Sequence, residues 1–127
     1  MGAEAWSGEP VAEVTRLRSD PDAPKSARWF LWSVAARQTI PPDMETATLL
    51  VSEIVSNAIR YGAPDAPISV TCHVDDESLR CVVRNRGPRV DLQHHHHPGH
   101  GLALVAALSR RWGSRPTEDG VEVWFEV

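Results

Sequence analysis

Apolar positions along the chain change their period several times, and each change marks a predicted element. After Asp20-Pro21-Asp22-Ala23-Pro24, they recur at Ala27, Phe30, Leu31, Val34 and Ala35. That spacing predicts a helix with one buried stripe running to about Gln38, with Asp capping its free N–H groups and Pro in its first turn. Pro41-Pro42-Asp43 repeats the punctuation and predicts a longer helix over 43–61, stopped by Gly62 and Pro64. Its apolar face carries Ala47, Leu50, Val51, Ile54 and Ala58.

Alternation by two then takes over. Residues 68–74 set Ile, Val, Cys and Val against Ser, Thr and His, and residues 79–85 set Leu, Cys, Val and Asn against Arg, Val and Arg. Asp75-Asp76-Glu77-Ser78 between them predicts a hairpin. Pairing Val74 with Leu79 puts Cys72 opposite Cys81 and Asn85 on the face of Val83. Helical spacing returns over 102–109, and strands are predicted at 111–116 and 121–127; the last alternates Val121, Val123, Phe125 and Val127 against Glu122, Trp124 and Glu126. A further strand, less regular in its alternation, is expected over 11–18. Residues 86–101 carry Gly, Pro and His without a period and read as a lid, while residues 1–10 read as a flexible start. The expectation is one domain over 11–127, an α/β two-layer sandwich with a mixed, mostly antiparallel sheet and three helices on one face.

Composition narrows the function classes. The 127 residues are 42% hydrophobic and 24% charged, as in ordinary globular domains. A net charge of −4 with scattered basic residues gives no electrostatic footprint for direct nucleic-acid binding. No apolar run is long enough to span a membrane, and residues 1–10 lack a signal-peptide pattern, so a cytoplasmic location is expected. Two cysteines without CxxC spacing favour packing over a disulfide or zinc. Trp29, Trp32, Trp112 and Trp124 read as core or edge packing, with an interface role open to any that is exposed.

Candidate chemistry starts with Glu53 and Asn57. Four residues apart on a helix, they share one edge and offer a carboxylate base beside a neutral oxygen for magnesium, a hard cation; the same pair also occurs on solvated helix faces. Gly99-His100-Gly101 before Leu102 sets glycines at a helix start, where free N–H groups favour a phosphate, or merely shapes a turn. Asn85-Arg86-Gly87-Pro88 puts a polar side chain and a permissive glycine at a strand end. His94 to His97, with His100, form a tract able to take zinc, nickel or copper, or a solvated segment that titrates near neutral pH.

Taken in order, these pieces resemble the Bergerat-type (GHKL) ATPases. Leu50-Val51-Ser52-Glu53-Ile54-Val55-Ser56-Asn57-Ala58-Ile59-Arg60-Tyr61-Gly62, then Gly99-His100-Gly101-Leu102, then Val123-Trp124-Phe125-Glu126, are similar to the small anti-sigma-factor serine kinases of the RsbW and SpoIIAB kind. The resemblance implies ATP and Mg2+ as cofactors, Asn57 holding the metal, Glu53 acting as the base, and Gly99 and Gly101 bordering the triphosphate under a lid. Asn85, Gly87, His100 and Leu102 join the expected nucleotide contacts, and Arg60, Arg86 and Arg89 the expected phosphate or partner contacts. Where the family carries an Asp for the adenine amino group, this chain has Asn85, which accepts a hydrogen bond without a charge, weaker by about 1 kcal/mol. The implied function is an anti-sigma factor that phosphorylates a serine on a STAS-type antagonist. A sigma factor, that antagonist and a second copy of the chain are the implied partners. Asn85 and the His-rich lid keep open a non-catalytic nucleotide-sensing or protein-binding module, and the His tract a metal-responsive regulator.

Overall fold

The alternating segments fold as strands and the 3–4-spaced segments as helices. The computed structural model describes residues 11–37, 43–75, 77–87 and 102–127. In chain order they form β1 (Val11–Leu17), α1 (Ala23–Ala35), α2 (Met44–Tyr61), β2 (Ile68–Val74), β3 (Leu79–Arg86), α3 (Leu102–Leu108), β4 (Arg111–Pro116) and β5 (Gly120–Glu126). The strands make one five-stranded sheet in the order β1-β2-β3-β5-β4. Every pairing is antiparallel, so the expected mostly antiparallel sheet contains no parallel pair among the described strands. Val74 does pair with Leu79, and Cys72 with Cys81.

The helices cover one face. α1 packs on β1 and β2, α2 on β2 and β3, and α3 on β4, with α2 between its two neighbours. Leu31 and Val34 from α1, Leu50, Val51, Ile54 and Val55 from α2, and Val70, Val83 and Phe125 from the sheet form the buried core. Cys72 and Cys81 lie within it as free thiols. Burial pushes the Cys72 thiol up to about 12, and burial together with the neighbouring Cys72 pushes Cys81 well above its ordinary 9.0. Both therefore stay protonated and serve as small apolar side chains.

Helix starts differ from the expectation in one case. Asp43 caps α2 as predicted, accepting Thr46 N–H at 3.1 Å and the Thr46 hydroxyl at 2.7 Å. These bonds, the side-chain one first, hold its carboxyl below the usual carboxylate range. Asp22 stands at the N-cap of α1 but makes no side-chain cap bond. Asp20 instead accepts the Asp22 N–H at 2.9 Å, so the turn before α1 is stabilised by an Asx bond rather than by a cap.

Among the described residues no helix covers the other sheet face, which carries charge pairs. Arg84 and Arg115 both donate to Glu122, at 2.5 and 2.9 Å, and Arg111 donates to both oxygens of Glu126, at 3.1 and 2.9 Å. Arg80 lies over the Trp124 ring, 4.3 Å from its centroid. The arginine stems cover the glutamates while their guanidinium groups stay in water.

Two stability predictions follow from these contacts. Asp43→Ala, which removes the cap, should lower unfolding free energy by about 1 kcal/mol with an unchanged m-value in urea titration. Partial burial raises the affinity of Glu122 for a proton, but the bonds from Arg115 and Arg84 outweigh it and bring its carboxyl below the ordinary 4.5. The stabilisation from this depressed value is complete above pH 4.5 and is lost as pH falls through the lower folded value. Urea midpoints measured from about pH 6 down to about pH 3 should fall less steeply in Glu122→Gln than in the wild type.

Candidate functional site

At about 100° per residue, the side chains of α2 sort into distinct edges. Ser52 faces α1, where it accepts a hydrogen bond from Arg28 at 2.9 Å, and Thr48 lies one turn before it. Asn57, nine residues beyond Thr48, is about half a turn away around the axis. It therefore lies on the flank away from α1, and Glu53 shares that edge about 40° from it. Arg60, seven residues after Glu53, returns to nearly the same edge, with its guanidinium 5.8 Å from the Tyr61 ring centroid. Asn57 is only 8% exposed, whereas Glu53 is half-buried. The helix thus carries a nearly buried amide beside a reachable carboxylate.

Three backbone segments meet at the end of this edge. Gly62 ends α2, and Ala63 N–H donates to Arg86 O at 2.7 Å, tying the helix exit to the end of β3. Gly87 N–H donates to Asp119 O at 3.0 Å, tying that strand end to the β4–β5 turn. The approach is too close for side chains. A Cβ on Gly62 would lie 2.6 Å from Asn85 Nδ2 and 2.5 Å from Ala58 O, and one on Gly120 would lie 1.8 Å from Asn85 O. Gly87 has a φ of +144°, a conformation suited to glycine.

Asn85 sits inside this junction. Its register places it opposite Val121, on the helix-covered side of the sheet with Val83. Nδ2 donates to Arg86 O at 3.3 Å, which leaves Oδ1 to act as the acceptor. So α2, the helix that carries Glu53 and Asn57, ends against the end of β3, which carries Asn85 and Gly87. The types of group fit a magnesium nucleotide: a buried amide and a nearby carboxylate on α2, and an amide acceptor at the end of β3.

Other expected contacts fall elsewhere. Arg86 alternates to the open sheet face and pairs with Asp119 at 3.2 Å, so the structure does not support it as a phosphate contact beside Asn85. The Leu102 side chain is 2% exposed and belongs to the apolar core, leaving only its backbone to face a ligand. Gly99, His100, Gly101, Arg89 and the His94 to His97 tract lie outside the described residues, as does most of the expected lid. Among the described residues no cluster of three or more His, Cys, Asp or Glu is placed to hold a metal ion. The largest described groove, about 850 Å³, runs along the open sheet face by Arg80, Arg84, Glu122 and Glu126 and includes neither Glu53 nor Asn57. Its Arg84, Arg111, Glu122 and Glu126 are already paired, and the junction under α2 is the better candidate on chemical grounds. Gly120 was missed by motif reading. Its signal was the Asp119-Gly120 dipeptide, a hairpin-turn pattern whose need for glycine is set here by the neighbouring strand.

The packing of the tryptophans also departs from expectation. Trp112 packs against the core and Trp124 is half-buried, but Trp29 and Trp32 are exposed on the outer face of α1.

Comparison with known proteins agrees with this geometry. A family model described as a histidine kinase-like ATPase domain matches residues 17–127. The catalytic domain of histidine kinase ThkA in a nucleotide-free form has a similar fold, with a TM-score of 0.57 at 17% identity over 91% of this chain and 95% of that one. A second nucleotide-free form of the same domain gives a TM-score of 0.57 at 15% identity with the same coverage. At these identities the structural likeness speaks to the fold alone. No curated protein matches the sequence.

Substitution at the junction tests its tightness. Gly87→Ala should cost about 1–3 kcal/mol through its backbone conformation. Gly120→Ala should cost more, because its new Cβ meets a backbone carbonyl that cannot rotate away. Urea unfolding of the two variants checks the order.

Proposed function

The chain belongs to the histidine kinase-like ATPase domain family, an ATP-binding, kinase-like class, and on that premise we propose that it is a serine-protein kinase and anti-sigma factor acting on a STAS-type antagonist. The observation that carries the site is the Gly62 junction, which holds Asn85 and Gly87 against the end of the helix bearing Glu53 and Asn57. A serine acceptor is favoured by residues 50–62 and 99–102, which resemble the RsbW and SpoIIAB kinases rather than by any feature of the fold.

In this reading Asn57 Oδ1 is a magnesium ligand and Asn85 Oδ1 accepts the adenine amino group. Gly87, Gly99, His100, Gly101 and the Leu102 backbone border the nucleotide. The metal would neutralise phosphate charge. Glu53 accepts the proton of the attacking serine hydroxyl, and its place on a rigid helix sets the direction of attack. Catalysis by such a site is mainly positioning and electrostatics. Proposed partners are the sigma factor, the antagonist and a second copy of the chain. No helix among the described residues is long and apolar enough to cross a membrane.

Asn85 favours one second reading, a non-catalytic nucleotide-sensing module, because an uncharged acceptor holds adenine less firmly. Calorimetry with ATP and labelled-phosphate transfer to a STAS-type protein separate the two. Asn57→Ala should abolish the magnesium dependence of ATP binding. Glu53→Gln should keep ATP affinity and lower transfer by about 10²–10⁴-fold. ATP binding by the wild type without any phosphoprotein would sink the kinase and leave the sensor; no nucleotide binding at all would sink both.

A further inference from the structure

The outer face of α1 carries a second, unused surface. Lys25, Arg28, Trp29, Trp32, Ser33 and Ala36 recur at helical spacing and, with Thr48 of α2, line a groove of about 690 Å³. Trp29 is 69% exposed and Trp32 51%, and Leu49 on the neighbouring face of α2 is also exposed. One exposed indole could be chance. Two on adjacent turns, bordering one groove, form the kind of patch that marks an interface, where Trp is enriched at energetic centres.

Charge and backbone chemistry identify the occupant. Lys25 and Arg28 border the groove and no carboxylate among the described residues lines it, although the chain as a whole carries −4. Arg28 donates to a neutral hydroxyl, Ser52, so this bond leaves its charge uncompensated. The walls are helices whose backbone groups are bonded internally. A strand laid between them would leave its own N–H and C=O groups buried without partners, whereas a helix satisfies its own. We infer that the α1–α2 groove docks an acidic amphipathic helix of a partner protein, with apolar anchors between Trp29 and Trp32 and carboxylates at Lys25 and Arg28. Anchors at i, i+3 or i+4, and i+7 match that mode. The groove lies on the flank of α2 opposite Asn57, so docking leaves the nucleotide edge uncovered, and the inference stands apart from the assignment of that edge.

A display library of random peptides about four helical turns long, panned on the full chain, tests this. Enriched sequences should combine Asp or Glu with apolar residues at helical spacing. Their affinity should fall at least about tenfold for the protein with both Trp29→Ala and Trp32→Ala. Lys25→Glu with Arg28→Glu should shift selection toward basic peptides. ATP titration of the tryptophan variant, whose replaced side chains are exposed, should match the wild type; loss of ATP binding in the wild type would count against the nucleotide reading only. The docking inference is overturned if panning enriches nothing, if enriched peptides lack acidic residues, or if they bind the tryptophan variant as tightly as the wild type.

Discussion

Close approach of three backbone segments without intervening side chains is the constraint on which the site depends. The end of α2 can meet the end of β3 only because Gly62 lets the helix exit touch it, and Ala63 N–H fixes that contact through Arg86 O. Gly120 admits the β4–β5 turn from the other side, and Asp119 O holds Gly87 N–H. A side chain at any of these glycines would push a helix, a strand end or a turn outward, and the polar groups would separate. The conformational entropy that each glycine costs is thus exchanged for geometry.

The same helix serves different neighbours around its circumference. Its innermost face supplies the core through Leu50, Val51, Ile54 and Val55, the Ser52 edge receives α1, and Glu53 and Asn57 share a third edge. An 18-residue helix can carry these roles because side chains 100° apart look out on different surroundings. The sheet follows the same economy. Its inner side is apolar, while the outer side needs no third layer because arginine stems cover Glu122 and Glu126 and pair with them.

Most of this architecture was legible in the chain because period and position are local properties. Alternation in residues 68–74 and 79–85 is enough to set the register that pairs Cys72 with Cys81, and the Asp43 cap and Gly62 stop bracket α2 correctly. The failures arise where local sequence allows two outcomes. α1 is apolar around much of its circumference, with Trp29, Phe30, Leu31 and Trp32 in succession, so pattern alone cannot say which of them turns away from the core. Arg86 follows Asn85 in a strand, and adjacency in sequence there means opposite faces in space. Gly120 is a turn residue by sequence, but its necessity comes from Asn85 O, thirty-five positions earlier in the chain.

α2 borders both surfaces. Arg28 on the cationic rim donates to Ser52, the residue immediately before Glu53. A docked carboxylate at Arg28 would compete with a neutral hydroxyl for the same guanidinium, and charge-assisted bonds are the stronger of the two. Releasing Ser52 need not deform the helix, since its hydroxyl also donates to Thr48 O at 2.8 Å. Any influence on Glu53 would therefore pass through the packing of α1 on α2 rather than through unwinding. Coupling of this kind requires the partner to favour one helix packing over another, because a ligand shifts an equilibrium only by its difference in affinity for the two states. The bond between Arg28 and Ser52 is where such a difference can arise, as it is the described polar contact that links the wall of the groove to the helix carrying the candidate base.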